Sequence, residues 1–243
     1  MSRYDAIEKL FIDINESVDK IEFFYEEAKK DDNKAAEFNV KVKNILENLR
    51  SSLDFAAVDI AEYTGVVSKK IYFPYGKDEN DFKSSIGRSF PGLQTNNPEV
   101  YNLLESFQPH KCGDNTIPDM CKMTNDNKHD DLYKYVRVNS TASTTTVPGF
   151  ITIEGDSKGK IVISDVETDY GIIGSKGAVE IDGTMTAVEV GKVLGVDAKV
   201  ITKKYAWVKF EINGRSVDVL EFLRRCESVI WQVINSVYSV IPK

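Results

Sequence analysis

Over residues 49–61 the helical pattern of this chain turns from one-sided to nearly all-round apolar. Upstream, Val42, Ile45 and Leu49 fall on a single stripe. Downstream, Leu53, Phe55, Ala56, Ala57, Val58, Ile60 and Ala61 cover most of the circumference. A helix that is apolar on every side is buried on every side, so this stretch is expected to be the central rod of the fold. Arg50 and Asp54 stand four residues apart where the rod enters the core, on one face of the helix. Charges in such a place need partners, because an unpaired buried charge is costly.

Two further stretches have the same helical character. Tyr4, Ile7, Phe11, Ile14, Val18, Ile21, Tyr25 and Ala28 alternate spacings of three and four. That heptad seam predicts a long helix lying along a bundle neighbour. A polar turn at 29–33 leads into the second helix, expected over 34–63 with Gly65 as its stop. Near the C-terminus Val219, Leu223, Cys226, Ile230, Val233, Val237 and Val240 repeat the seam. Between these helices the reading expects an aromatic loop, Ile71 to Gly76, and a short helix over 79–86. A helix from Pro98 to Phe107, a loop over 110–118 and a helix over 119–132 follow.

From 133 the period changes to alternation. Segments 133–138, 150–154, 160–164, 178–181, 184–190 and 205–212 read as strands, with turns at 155–159, 182–183 and 213–214. Residues 140–146 read as a Ser/Thr-rich connector. The expectation is an α+β fold: a helical bundle over 1–132, an inserted antiparallel β-sheet over 133–212, and a C-terminal helix over 213–243 that completes the bundle.

The chain has 243 residues and a net charge of −7. That balance does not suit a protein that grips a nucleic-acid backbone with its whole surface, and it leaves room for a local basic cleft. The longest apolar runs fall far short of a membrane span, and the N-terminus lacks the apolar stretch of a secretory signal. Three cysteines do not suggest a disulfide framework, so a cytoplasmic location and no membrane partner are expected.

Four short stretches follow one another in order: Leu49-Arg50-Ser51-Ser52-Leu53-Asp54, Phe73-Pro74, Phe107-Gln108-Pro109 and Asn125-Asp126-Asn127-Lys128-His129. Together they resemble a pattern of uncharacterised bacterial proteins, roughly LRSALDHL, FPI, LQPY and NxxKH, ending in strands and a helix. That resemblance implies no established activity. The pattern's Arg-x4-His also resembles the signature of HEPN-type helical ribonucleases, found in bacterial toxins and phage-defence systems. In this chain Arg50 is present and the His position holds Phe55.

The candidate catalytic residues are Arg50, Asp54, Asn125 and His129, with Lys128, Tyr72 and Phe73 as candidate binding residues. Arginine binds phosphates and carboxylates bidentately, and histidine is the side chain best poised for acid–base work near neutrality. On a helix Asn125 and His129 share a face. If they meet Arg50 and Asp54, the Arg–His pair is rebuilt from two helices. The same residues equally serve as a structural ion pair and a helix tie. Tyr72, Phe73 and Tyr75 are aromatics of the kind that stack on bases, or that fold back to cap a bundle. The spacing of His110, Cys112, Cys121 and His129 fits no standard zinc unit, so neither metal nor cofactor is expected. Two functions stand. One is a non-catalytic interaction or binding protein with a protein partner or a second copy. The other is a HEPN-like metal-independent ribonuclease or RNA-binding module.

Overall fold

The structure is a computed structural model that describes residues 2–28, 36–129, 135–139, 142–155, 159–205, 208–212 and 217–242. The fold is α+β: a long N-terminal helix pair and a C-terminal helix, with small antiparallel sheets in the middle of the chain. It divides into two units. The first comprises Met1–Phe23, Glu37–Lys134 and Val219–Lys243, the second Phe24–Ala36 and Tyr135–Asp218. Among the described residues, no helix is long and apolar enough to cross a membrane.

The seams of the long helices are buried as their spacing predicts, except at Val240, which is half-buried. α1 (Tyr4–Ala28) buries every residue of its heptad seam, from Tyr4 to Ala28. α2 (Ala36–Thr64) ends at Gly65, whose φ of +68° is the left-handed conformation a helix stop uses. The amide of Val66 then closes the last turn onto the carbonyl of Ala61 at 3.1 Å. α9 (Val219–Val240) buries Leu223, Cys226, Ile230, Val233 and Val237. Phe11 packs on Trp231 with ring centroids 4.6 Å apart, and Tyr4 meets Tyr238 edge-on at 4.8 Å. At one end of the bundle Asp59 of α2 accepts from the Tyr238 hydroxyl at 2.5 Å and from the Arg3 amide at 2.7 Å.

The rod differs from expectation on one side. Leu53, Ala56, Ala57 and Ile60 are wholly buried, but Phe55 is 37% exposed. Ser52 and Asp59, both polar, take places in the buried stripe instead. They are admitted because each has a partner: the Ser52 hydroxyl donates to the carbonyl of Asn48 at 3.0 Å, and Asp59 has the bonds just described.

Five shorter helices follow. α3 (Glu79–Ser89) is capped by Asp78, whose side chain accepts from the amide of Asp81. α4 (Leu93–Asn96) leads into α5 (Pro98–Ser106), which has Asn97 as its cap and Pro98 in its first turn. α6 (Pro109–Cys112) occupies part of the expected 110–118 loop. α7 (Thr116–His129) begins three residues before the expected start at Asp119. α5 and α7 both pack on α9.

Among the described residues, the strands of the second unit pair in four small antiparallel sheets. β1 (Tyr135–Asn139) pairs with β9 (Val208–Ile212). β2 (Ser143–Val147) lies between β3 (Ile151–Gly155) and β8 (Thr202–Tyr205). β4 (Lys160–Ile163) pairs with β7 (Val179–Asp182), and β5 (Val166–Thr168) with β6 (Gly171–Ile173). The Ser/Thr connector therefore contains a strand. Thr144 and Thr146 face outward while Thr145 and Val147 are buried, the alternation of a half-buried strand.

The expected strand 184–190 is largely a helix, α8 (Ala187–Leu194). Thr186 and Glu189 form a reciprocal capping box at its start, and Gly195 at φ +69° ends it. Val190 and Leu194 of α8 join Val147, Ile163, Ile173 and Ile181 in the core of this unit. The expected turns at 29–33 and 213–214 and the tip of the one at 155–159 lie outside the described residues.

Candidate functional site

In the helical unit, α2, the segment 70–77, α3 and the Asn125 turn of α7 enclose a cleft of about 740 Å³. Its floor is Arg50. The Arg50 Nε lies 3.3 Å from Asp54 Oδ2, and Nη1 donates to the sulfur of Cys121. The guanidinium carbon sits 4.9 Å from the ring centroid of Tyr75, a cation–π contact. Only 13% of the Arg50 side chain is exposed. Burial by itself lowers the pKa of the guanidinium, but the Cys121 sulfur and the Asp54 carboxylate outweigh it and hold Arg50 above the ordinary arginine value. Burial also pushes the Cys121 thiol up to about 11, in spite of Arg50 beside it. At neutral pH that sulfur is therefore an uncharged, weak acceptor, and Asp54 carries the charge balance.

The 70–77 segment is anchored at four points. The Phe73 amide donates to Asp54 Oδ1 at 2.9 Å, so one carboxylate holds both the arginine and the loop. The Tyr75 amide donates to the Ser85 hydroxyl at 3.3 Å. Gln108, wholly buried, accepts from the Gly76 amide at 3.2 Å and donates to the carbonyls of Pro74 at 3.4 Å and Leu104 at 2.9 Å. Gly76 has no room for a side chain, since a β-carbon there would lie 2.2 Å from the amide nitrogen of Phe82 in α3. Asn125 closes the chain of contacts by donating from Nδ2 to the Tyr75 hydroxyl at 3.3 Å.

The four stretches singled out in the sequence thus meet at one place. Asp54, paired with Arg50, holds Phe73, Gln108 holds Pro74, and Asn125 reaches Arg50 through Tyr75. Arg50, Asp54, Tyr72 and Asn125 all line the cleft. Phe73 also borders it, but the residue is only 1% exposed and belongs to the core. It is an anchor and not a stacking surface. The side chains of Lys128 and His129, on the last residues of α7, lie outside the described residues.

Sequence reasoning missed most of what surrounds Arg50. From the sequence, Tyr75 is one of three aromatics of a loop and Cys121 one of four spaced His and Cys residues. Lys70, Lys77 and Arg88 line the cleft and had no local signal. Asp54 is spent on Arg50, so these three cations face a single other carboxylate, Asp81. Among the described residues none of the three has a carboxylate within ion-pair distance; Arg88 Nε bonds the Ser84 carbonyl at 3.3 Å. Cys112 is exposed and Cys121 is buried. No group of three or more His, Cys, Asp or Glu residues is placed to hold a metal ion among the described residues. His110 lies apart from the cleft lining, with Nε2 3.6 Å from Glu105 Oε1 and its ring against Phe82.

No protein-family model, curated protein or solved structure matches this chain.

Proposed function

We propose that this chain is a non-catalytic binding protein, and that the cleft above Arg50 takes an anionic ligand. One observation carries the reading. Lys70, Lys77 and Arg88 converge on a concave surface without carboxylate partners among the described residues, in a chain whose net charge is −7. Surface cations in an acidic protein ordinarily find carboxylates nearby. Three that do not, around one cleft, form a positive potential that gathers an anion. The volume falls in the range of about 300–1,000 Å³ common to ligand sites. Arg50 lines the cleft, with Asp54, Cys121 and Tyr75 around its guanidinium.

The test is a calorimetric titration with inorganic tripolyphosphate. Binding that weakens as salt rises, and is lost in the Lys70→Glu/Lys77→Glu/Arg88→Glu variant at an unchanged melting temperature, supports the reading. Equal binding by the triple variant contradicts it.

A second reading is a HEPN-like metal-independent ribonuclease of a toxin or phage-defence system. Its support is the contact of Asn125 with Tyr75, which sets the start of the turn leading to His129 at the cleft. In that reading His129 takes the 2′-hydroxyl proton and Arg50 steadies the developing charge. Incubation of single-stranded RNA with the purified chain separates the two. Cleavage that His129→Ala abolishes without loss of folding favours the nuclease; intact RNA favours the binding protein.

A further inference from the structure

We infer that the anion this cleft takes is a nucleotide, either free or as one unit of a single strand, with its base stacked on Tyr72 and its phosphate held by Lys70, Lys77 and Arg88. The inference rests on the anion-binding reading above and adds the part of the ligand that carries no charge.

The argument starts from the two tyrosines of the wall. Tyr75 is engaged: its ring lies against Arg50, its hydroxyl accepts from Asn125, and its amide is tied to Ser85. Tyr72 is not. Its side chain lines the same cleft, it is 52% exposed, and among the described residues no other ring or cation packs on it. An aromatic ring of that exposure, beside a polar cleft, offers a π-face to a flat partner. Its neighbours define what else that partner carries. Lys70, two residues before it, is exposed on the cleft, whereas Phe73, next to it, turns into the core. The backbone directly after Tyr72 is fixed, because Asp54 and Gln108 hold it from Phe73 to Gly76. Tyr72 thus stands next to an anchored stretch of the cleft wall rather than in the middle of a loose loop. A free inorganic anion would use the cations alone and leave Tyr72 idle. A nucleotide uses both, because every base has a π-face and every nucleotide a phosphate. Stacking is tolerant of base identity, so weak sequence preference is expected.

The experiment compares four probes by calorimetry: inorganic phosphate, ribose 5-phosphate, uridine 5′-monophosphate and a short single-stranded oligouridylate. The inference expects the two base-bearing probes to bind about tenfold or more tightly than ribose 5-phosphate, and Tyr72→Ala to remove that difference. Tighter binding of the oligonucleotide than of the monophosphate identifies a strand as the source, and equal binding identifies the free nucleotide. If ribose 5-phosphate binds as well as the monophosphate, or if Tyr72→Ala leaves all affinities unchanged, the nucleotide inference fails while the anion-binding reading stands. If none of the four probes, nor tripolyphosphate, binds the wild type better than the triple charge-reversal variant, both fail together.

Discussion

The carboxylate of Asp54 holds two parts of the molecule at once: Arg50 on its own helix, at 3.3 Å, and the backbone amide of Phe73, at 2.9 Å. The first contact is a helical i,i+4 pair. The second fixes the loop that forms the wall of the cleft. Asp54 therefore links the most regular part of the fold to its candidate site, and Arg50 is the cation that pairs with it.

Loss of Arg50 is then a structural lesion first. Arg50→Ala leaves Asp54 without its cation and Tyr75 without its stacking partner, and is expected to cost on the order of 2–4 kcal/mol in urea unfolding. Arg50→Lys keeps the charge without the planar fork and recovers only part of the loss. An Arg50→Ala protein that unfolds at the wild-type urea concentration would mean that the guanidinium is free for other work.

Gln108 is the second anchor. Gln108→Leu conserves bulk but leaves the Gly76 amide and the Pro74 carbonyl unpaired in the interior. The expected cost is roughly 1–3 kcal/mol, together with weaker binding of tripolyphosphate because the wall loosens. Unchanged stability with unchanged binding would show that Asp54 and Ser85 hold the segment alone.

The pH dependence of the helical unit should come largely from Asp59 and Tyr238. Burial raises the pKa of Asp59, but the Tyr238 hydroxyl and Arg3 outweigh it and hold the carboxyl below its ordinary value. The unfolded chain thus takes up that proton first, and this stabilisation is lost as the pH falls below about 4. Burial and the neighbouring Asp59 push the Tyr238 phenol up. There the unfolded chain gives up its proton first, and stability is lost above about pH 10. Thermal melts across pH should show Asp59→Asn flattening the acid limb and Tyr238→Phe the alkaline one. Limbs that stay as steep in both variants would assign the dependence to other groups.

The long helices were legible because their burial is periodic in the sequence. Every seam residue of α1 is inside, since a straight helix repeats its contacts at the spacing of its residues. The β region was legible only in outline. The segment 184–190 alternates like a strand, yet the Thr186/Glu189 capping box and Gly195 mark the ends of α8, and those signals outweigh a short alternation. In β2 the run of threonines suggested a connector, although β-branched residues favour strands. At the site, Arg50 and Asp54 were visible because they are neighbours on one helix. Their contacts with Phe73 and Cys121, and Gln108's grip on Gly76, join distant parts of the chain and leave no local pattern. Lys70, Lys77 and Arg88 look like any solvated cations until the fold brings them to one cleft whose carboxylates, Asp54 and Asp81, form no ion pair with them among the described residues.

The most direct measurement is hydrogen–deuterium exchange of the whole chain with and without saturating tripolyphosphate. A ligand held by Lys70, Lys77 and Arg88 over an Arg50 floor should slow exchange in residues 70–89 and leave the second unit as it was. Protection confined to other residues, or none at a concentration where calorimetry detects binding, would contradict the claim that this cleft is the binding site.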